Sequence, residues 1–310
     1  MTDIRKSLTE KAKAMGWKVS AAQADQFQTY MELLLEWNEK MNLTAITQPE
    51  EVVEKHFLDS MTLLSWPKLK QGAKVIDVGT GAGFPGIPLK IARPDIDLTL
   101  LDGTMKRLNF LGEVCTALKL SARRIHKRAE EAGLDKTMRE RYDVATARAV
   151  ANLPVLAEYC MPLIKMKGYF IAMKGPGAEQ ELGAAGNALD TLGSGEPEVL
   201  SLTLPGGEER SLVICQKLRF TPKGYPRSRR DHLNIPYKEE NLWSLICARP
   251  SPGFGRLGPG DAGHQRRRRG AGARVLQLLE HITADPRRST CWWPRIWTPA
   301  PSAAALRRGV

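Results

Sequence analysis

The chain reads as an α/β protein: a mostly parallel, doubly wound sheet closed by an antiparallel C-terminal hairpin and preceded by a small helical cap. Three observations predict this. From residue 66 to about 220, short apolar runs alternate with helix-period stretches, the pattern of strands paired in parallel through helical crossovers. The first of these runs leads directly into a glycine-rich turn and then a helix. Residues 1–65 show helical spacing alone.

The cap is carried by Phe27, Tyr30, Met31, Leu34, Leu35 and Met41, which recur at helical intervals, and by Pro49-Glu-Glu, a helix start followed by Val52, Val53, His56, Phe57 and Met61. Between them, residues 37–44 are dense in polar groups, and their Asn side chains are expected to satisfy local backbone groups. His56 and Asp59, three apart on one helix face, read as a local hydrogen bond. Residues 74–78, 97–101, 142–146 and 169–173 read as strands, and 106–118 as a helix between them. Residues 198–204 and 211–218, separated by Pro205-Gly-Gly, read as the closing hairpin.

An apolar share of 42% and a charged share of 26% over 310 residues exclude wholesale disorder and a collagen-like or membrane class. No apolar run approaches the roughly 18–20 residues that cross a bilayer, and the start, Met1 to Lys6, lacks the apolar core of a secretory signal. A cytoplasmic location without a membrane partner is therefore expected. Cys115, Cys160, Cys215, Cys247 and Cys291 are odd in number and form no CxxC pair, which signals reduced thiols and no metal site.

The net charge of +12 favours a polyanionic partner, but it is unevenly spread. Residues 1–232 hold 33 bases against 29 acids; residues 233–310 hold 13 against 5, and 12 of those 13 are Arg. That Arg/Pro/Trp-rich tail has three readings: a basic arm that binds RNA, a small appended module around a helix at 271–281, or out-of-frame translation of a GC-rich gene. The joint rise of Arg, Pro and Trp with the loss of Lys favours the last. The chain thus divides into a cap (1–65), an α/β domain (66–232) and a tail (233–310).

The glycine turn is Asp77-Val-Gly79-Thr-Gly81-Ala-Gly83-Phe-Pro85-Gly86, and the second strand ends in Asp102. Glycines at a strand-to-helix turn let the backbone approach a nucleotide-type cofactor closely. The run from Gly81 formally satisfies the dinucleotide pattern, with Asp102 twenty-one residues on. Pro85 removes an amide that would face a pyrophosphate, and Asp77 puts a carboxylate where two phosphates would crowd it. S-adenosylmethionine, which has a sulfonium, an ammonium and a ribose diol but no phosphate, suits Asp77 near its methionine end and Asp102 on its ribose. The other reading of Asp77 is a cap on the following turn.

The stretches 36–47, 56–60, 77–89, Arg128-Ala-Glu130, 142–149 and Thr221-Pro-Lys-Gly-Tyr-Pro-Arg227 resemble the bacterial 16S rRNA guanine-N7 methyltransferases, also called glucose-inhibited division protein B or methyltransferase G. The resemblance runs from about residue 20 to about 230. It implies a Rossmann-like class I methyltransferase fold that binds S-adenosylmethionine. By similarity, Gly79 and Phe84 line the cofactor with Gly81 in the same turn, Asp102, Gly103 and Thr104 hold the ribose, and Ala129 and Glu130 flank the adenine. Arg148 would face the reaction. The implied substrate is 16S rRNA, bare or in the small subunit, methylated at guanine 527; a monomer is expected.

The residues that are missing fit this chemistry. Methylation at carbon usually uses a nucleophilic cysteine, and methylation of an exocyclic amine an Asn/Asp-Pro-Pro-aromatic loop after the fourth strand; residues 143–154 hold neither. Guanine N7 attacks through an in-plane lone pair and loses no proton, so no general base is required. Arg148 is then the residue that orients the guanine or its phosphate; its other reading is a structural pairing with Glu130 or Asp143. Basic clusters at 123–128, Lys165 and Lys167, Lys174, and 217–230 are candidates for tracking rRNA phosphates. Two alternatives remain: an NAD-dependent oxidoreductase, and a non-catalytic RNA-binding protein indifferent to S-adenosylmethionine and to Gly79→Trp.

Overall fold

The computed structural model describes residues 2–228. The tail, the helix expected at 271–281, Cys247, Cys291, Arg229 and Arg230 lie outside the described residues. The strands are β1 (Lys74–Val78), β2 (Asp97–Asp102), β3 (Ala122–His126), β4 (Tyr142–Arg148), β5 (Ile164–Lys174), β6 (Glu198–Thr203) and β7 (Glu209–Gln216), ordered β3-β2-β1-β4-β5-β7-β6 in one sheet. β1 to β5 pair in parallel, and β7 lies antiparallel between β5 and β6. The order reverses between β1 and β4, which places a crevice at their carboxyl ends, where doubly wound sheets bind ligands.

The helices are α1 (Arg5–Ala14), α2 (Ala21–Met41), α3 (Pro49–Val52), α4 (Asp59–Met61), α5 (Gly86–Ala92), α6 (Met105–Ala117), α7 (Ala129–Leu134), α8 (Leu153–Cys160) and α9 (Ala178–Leu192). A wider helical turn over Val53–Leu58 joins α3 to α4, so this segment runs on past the proline that starts it. Ser20 and Gln23 cap α2 reciprocally, each side chain accepting from the other's backbone N–H. At its far end Asn38 accepts from the amides of Leu43 and Thr44, the local role expected of that polar stretch.

Alternate residues of β1 serve two cores. Val75 packs with α1, α2, α5 and α6 on one face, and Ile76 and Val78 with α8 and α9 on the other, so the central strands are covered on both sides. The N-terminal helices are built into the first core. Tyr30 of α2 stacks on Phe57 and Phe27 packs tilted against it, and Tyr30 and Phe57 both reach Phe84 in the glycine turn. Gln23 and Gln26 donate to the last carbonyls of α5 and to Leu118 after α6, where helices leave acceptors unpaired.

Two strands depart most from expectation. β5 begins at Ile164, which pairs with Tyr142 before a register shift leads to Tyr169 opposite Val144; Lys165 and Lys167 on this stretch hide its strand character from an apolar count. β7 runs from Glu209 to Gln216 rather than 211–218, because its register is set by six consecutive pairs with β5.

Candidate active site

Most of the crevice is walled by residues at or just past the carboxyl ends of the strands. β1 ends at Val78, and the turn doubles back so that the Gly79 and Thr80 amides donate to Leu101 O at 2.9 and 3.1 Å. Gly79 and Gly83 have φ of +70° and +102°, backbone that side chains rarely adopt. A Cβ on Gly79 would stand 2.7 Å from Val150 Cγ2 and close the gap between the turn and the loop after β4. At Gly83 it would meet the Tyr30 hydroxyl at 2.5 Å. That hydroxyl donates to Ala82 O, so α2 holds the turn from behind.

Gly79, Asp102, Gly103, Thr104, Ala129 and Glu130 line one cavity of about 570 Å³, together with Arg107, Lys127, Arg128, Val150 and Tyr159. Asp102 ends β2 and is almost wholly buried. One carboxylate oxygen accepts from Gly81 N (2.9 Å) and the other from Thr104 N (2.8 Å), with Arg107 at 3.6 Å. Each oxygen keeps acceptor capacity for a diol, the group a ribose presents. Gly81 therefore serves through its amide, by fixing Asp102.

Asp77 does not line this cavity. It is fully buried under the turn, where Oδ2 accepts from the Thr80 hydroxyl (2.6 Å) and Gly86 N (2.8 Å), the capping arrangement, while Oδ1 has no hydrogen-bond partner. Burial pushes its carboxyl up to about 6, against the pull of Thr80, Gly86 and Arg148. Because the folded value lies above the ordinary 3.8, the stability that protonation adds is complete below pH 3.8 and is lost as pH rises through 6. Asp77→Asn keeps an acceptor for Thr80 and Gly86. It is expected to gain on the native chain by up to about 3 kcal/mol between about pH 4 and 7, read from urea melts across pH; a difference that stays constant would overturn this. His56 works in the other direction. Burial first, then Arg148, drives it down to about 4, so its contribution is present above 6.5 and lost as pH falls toward 4.

Arg148, the last residue of β4, opens onto a second cavity of about 470 Å³ that shares Ala149 with the first. It pairs with neither Glu130 nor Asp143. Its NH1 donates to Asp59 Oδ2 (2.7 Å) and Lys55 O (3.0 Å), its NH2 lies 3.3 Å from His56 Nδ1, and its guanidinium stacks 4.9 Å over the Phe84 ring. Asp143 is engaged by Lys165 and Lys74 N instead. His56 and Asp59 thus meet through Arg148 and not directly. Arg148 donates to Nδ1, so Nε2 carries the imidazole proton and donates to Thr44 Oγ1 at 2.7 Å. Phe84 lies beneath this group, stacked on His56 at 4.4 Å and away from the first cavity.

The sequence pattern did not single out Lys55 or Arg210 in the second cavity. It places Asp59 there only as a helix-face neighbour, because the contact between residues 59, 148 and 210 is made by the sheet. The basic run from residue 217 is also not what its charge suggests. Lys217 is fully buried and binds Glu140 Oε1, Met161 O and Ile164 O; Arg219 pairs with Asp190, and Arg227 with Glu158. The side chains of Cys115, Cys160 and Cys215 are buried free thiols whose pKa burial raises, to about 12 for Cys215, so none is poised as a nucleophile.

A parallel sheet reversing at β1/β4, a glycine turn whose amides at Gly79, Thr80, Gly81, Gly83, Phe84 and Gly86 are taken by protein acceptors, and an acid ending β2 fit a class I S-adenosylmethionine-dependent methyltransferase. The family model for rRNA small subunit methyltransferase G (GidB) matches residues 23–213. The chain is 49% identical over 222 residues to the ribosomal RNA small subunit methyltransferase G of Alkaliphilus metalliredigens, covering 71% of this chain and 93% of that protein. It is 47% identical to the Desulforamulus reducens protein of the same name over 229 residues, covering 73% and 95%. The chain belongs to the rRNA small subunit methyltransferase G family, and the dinucleotide-dependent oxidoreductase reading is set aside. Among the described residues no helix is long and apolar enough to cross a membrane.

Proposed function

We propose that the chain methylates N7 of a guanine in small-subunit rRNA, at guanine 527 by family resemblance, acting as a cytoplasmic monomer. The observation that carries this reading is the pair of cavities meeting at Ala149: one walled by Asp102, and the other basic and wide enough for a nucleotide base.

Two features of the first cavity suit S-adenosylmethionine. Asp102 retains lone pairs for a ribose diol, and the space at Gly79 is one that a side chain would fill. When bound, S-adenosylmethionine supplies an electrophilic methyl group. Asp102 would hold its ribose, Gly103 and Thr104 the surrounding backbone, and Ala129 and Glu130 the adenine. Arg148, braced on three sides, would orient the guanine through O6 or the neighbouring phosphate, since holding N7 itself would block attack. N7 gives up no proton, and the second cavity offers no free base: His56 has both ring nitrogens engaged and Asp59 binds two guanidinium groups. Catalysis then rests on alignment and on excluding water.

The test is incubation with radiolabelled S-adenosylmethionine and small-subunit RNA, bare and assembled, followed by nucleoside analysis. Label in 7-methylguanosine is expected, and the more active of the two RNAs identifies the substrate form. Label in another nucleoside, or no transfer despite cofactor binding, would overturn the assignment.

A further inference from the structure

The second cavity is organised around one carboxylate. Asp59 is 5% exposed and comes from the N-terminal helices; Arg148 comes from β4 and Arg210 from β7. Asp59 Oδ2 accepts from Arg148 NH1 at 2.7 Å, and Asp59 Oδ1 from Arg210 Nε at 2.9 Å. Two guanidinium groups from distant strands are thus tied to opposite oxygens of a single buried anion. Without it they would repel each other in a poorly hydrated wall.

The tie leaves the arginines unequally free. Arg148 is also held by Lys55 O, His56 and the Phe84 ring. Arg210 spends Nε on Asp59 and NH1 on Glu209 O, and its NH2 bonds to nothing among the described residues; the residue lines both this cavity and a neighbouring one beside β6. Lys55 and Lys174 add two further cations to the wall, each with an acidic partner. Glu54 accepts from Gly206 N, and this bond latches the β6–β7 loop to the same helical segment, which fixes Arg210 relative to Asp59.

We propose that Asp59 is a positioning residue of the substrate cavity: it sets the spacing of Arg148 and Arg210 so that the free edge of Arg210 grips a phosphate of the target nucleotide while Arg148 orients its base. This rests on the rRNA methyltransferase reading above. Asp59 touches neither substrate nor cofactor. A fixed fork is pre-organised for phosphate only while its counter-anion holds it, so loss of that anion weakens substrate capture without touching the cofactor cavity.

The experiment compares Asp59→Asn, Asp59→Glu and Arg210→Gln by steady-state methylation of small-subunit RNA, by RNA binding in S-adenosylhomocysteine, by calorimetric cofactor affinity and by thermal melting. For Asp59→Asn, KM for RNA is expected to rise at least about tenfold and kcat to fall, with cofactor affinity within twofold of native. Asp59→Glu should recover part of the loss. Arg210→Gln, on a partly exposed strand end, should raise KM for RNA comparably and change kcat less. If Asp59→Asn fails to fold, Arg210→Gln decides alone. Native KM and RNA affinity in Arg210→Gln, or equal losses of RNA and cofactor binding in Asp59→Asn, would overturn the proposal. Wild-type protein that binds RNA but labels a nucleoside other than 7-methylguanosine would overturn only the assignment of the methylated atom, and the RNA-binding arm would still judge Asp59.

Discussion

Asp102→Ala is expected to weaken S-adenosylmethionine binding by about 100- to 1,000-fold while leaving the chain folded. The carboxylate accepts from two backbone amides, Gly81 N and Thr104 N, and so ties the glycine turn to the start of α6. Removing it loses whatever the ribose hydroxyls gain from a charged acceptor, about 1.5–3 kcal/mol per bond. It also frees the two amides, so that the turn no longer waits in the bound geometry. Together about 3–4 kcal/mol is at stake, which gives the fold-change stated. Both amides are only partly buried, and water can replace the lost acceptor, so the melting temperature should change far less than the affinity. Asp102→Asn keeps one acceptor oxygen and should fall between. Calorimetric titration decides the matter: an alanine variant that binds within about threefold of native would remove Asp102 from the ribose site.

Lys217→Met is expected to lower stability by about 3–5 kcal/mol, a fall in melting temperature on the order of 10 °C for a chain of this size. The ammonium is wholly buried, its pKa lowered by burial against the pull of Glu140, and it donates to Glu140 Oε1 and to the carbonyls of Met161 and Ile164. Those acceptors belong to the turn after α8, to the first residue of β5 and to residue 140 before β4, so one side chain pins three segments at the amino ends of β4 and β5. Methionine fills the space but takes away the donor that Glu140 and the Ile164 carbonyl share, while Met161 O keeps only its bond from Ile164 N. RNA affinity, measured well below the melting transition, should be unchanged. A native melt with weakened RNA binding would return Lys217 to the substrate surface.

Much of the fold was legible because its signals are local. The apolar runs at 74–78, 97–101 and 142–146 all become parallel strands, and the hairpin announced by Pro205-Gly-Gly closes the sheet. Six of the expected cofactor residues, from Gly79 to Glu130, share one cavity because each sits at or just past the carboxyl end of a strand. What escaped the sequence is contact across long separations. Arg148 finds its anion 89 residues upstream, and Arg210 meets the same anion across 151 residues. Charge alone also misled: Lys217 and Arg227 read as surface bases but are consumed by Glu140 and Glu158, because a spacing pattern does not reveal which cations the core needs. Asp77 shows a third limit. Its motif position is plain, yet whether its carboxylate faces the crevice or the turn depends on the path of the backbone at Gly86.

The strand order also bears on how the protein is made. Among the described residues β7 is the last strand to be synthesised, and it lies between β5 and β6. Until residues 209–216 are made, the edge of β5 that β7 covers has no partner strand. Arg210 arrives with the same strand, so the carboxylate of Asp59, made some 150 residues earlier, waits until near the end of the described chain for its second cation. A nascent chain stalled before residue 209 would combine an exposed sheet edge with a second cavity that lacks Arg210, and would be expected to be held by chaperones or degraded.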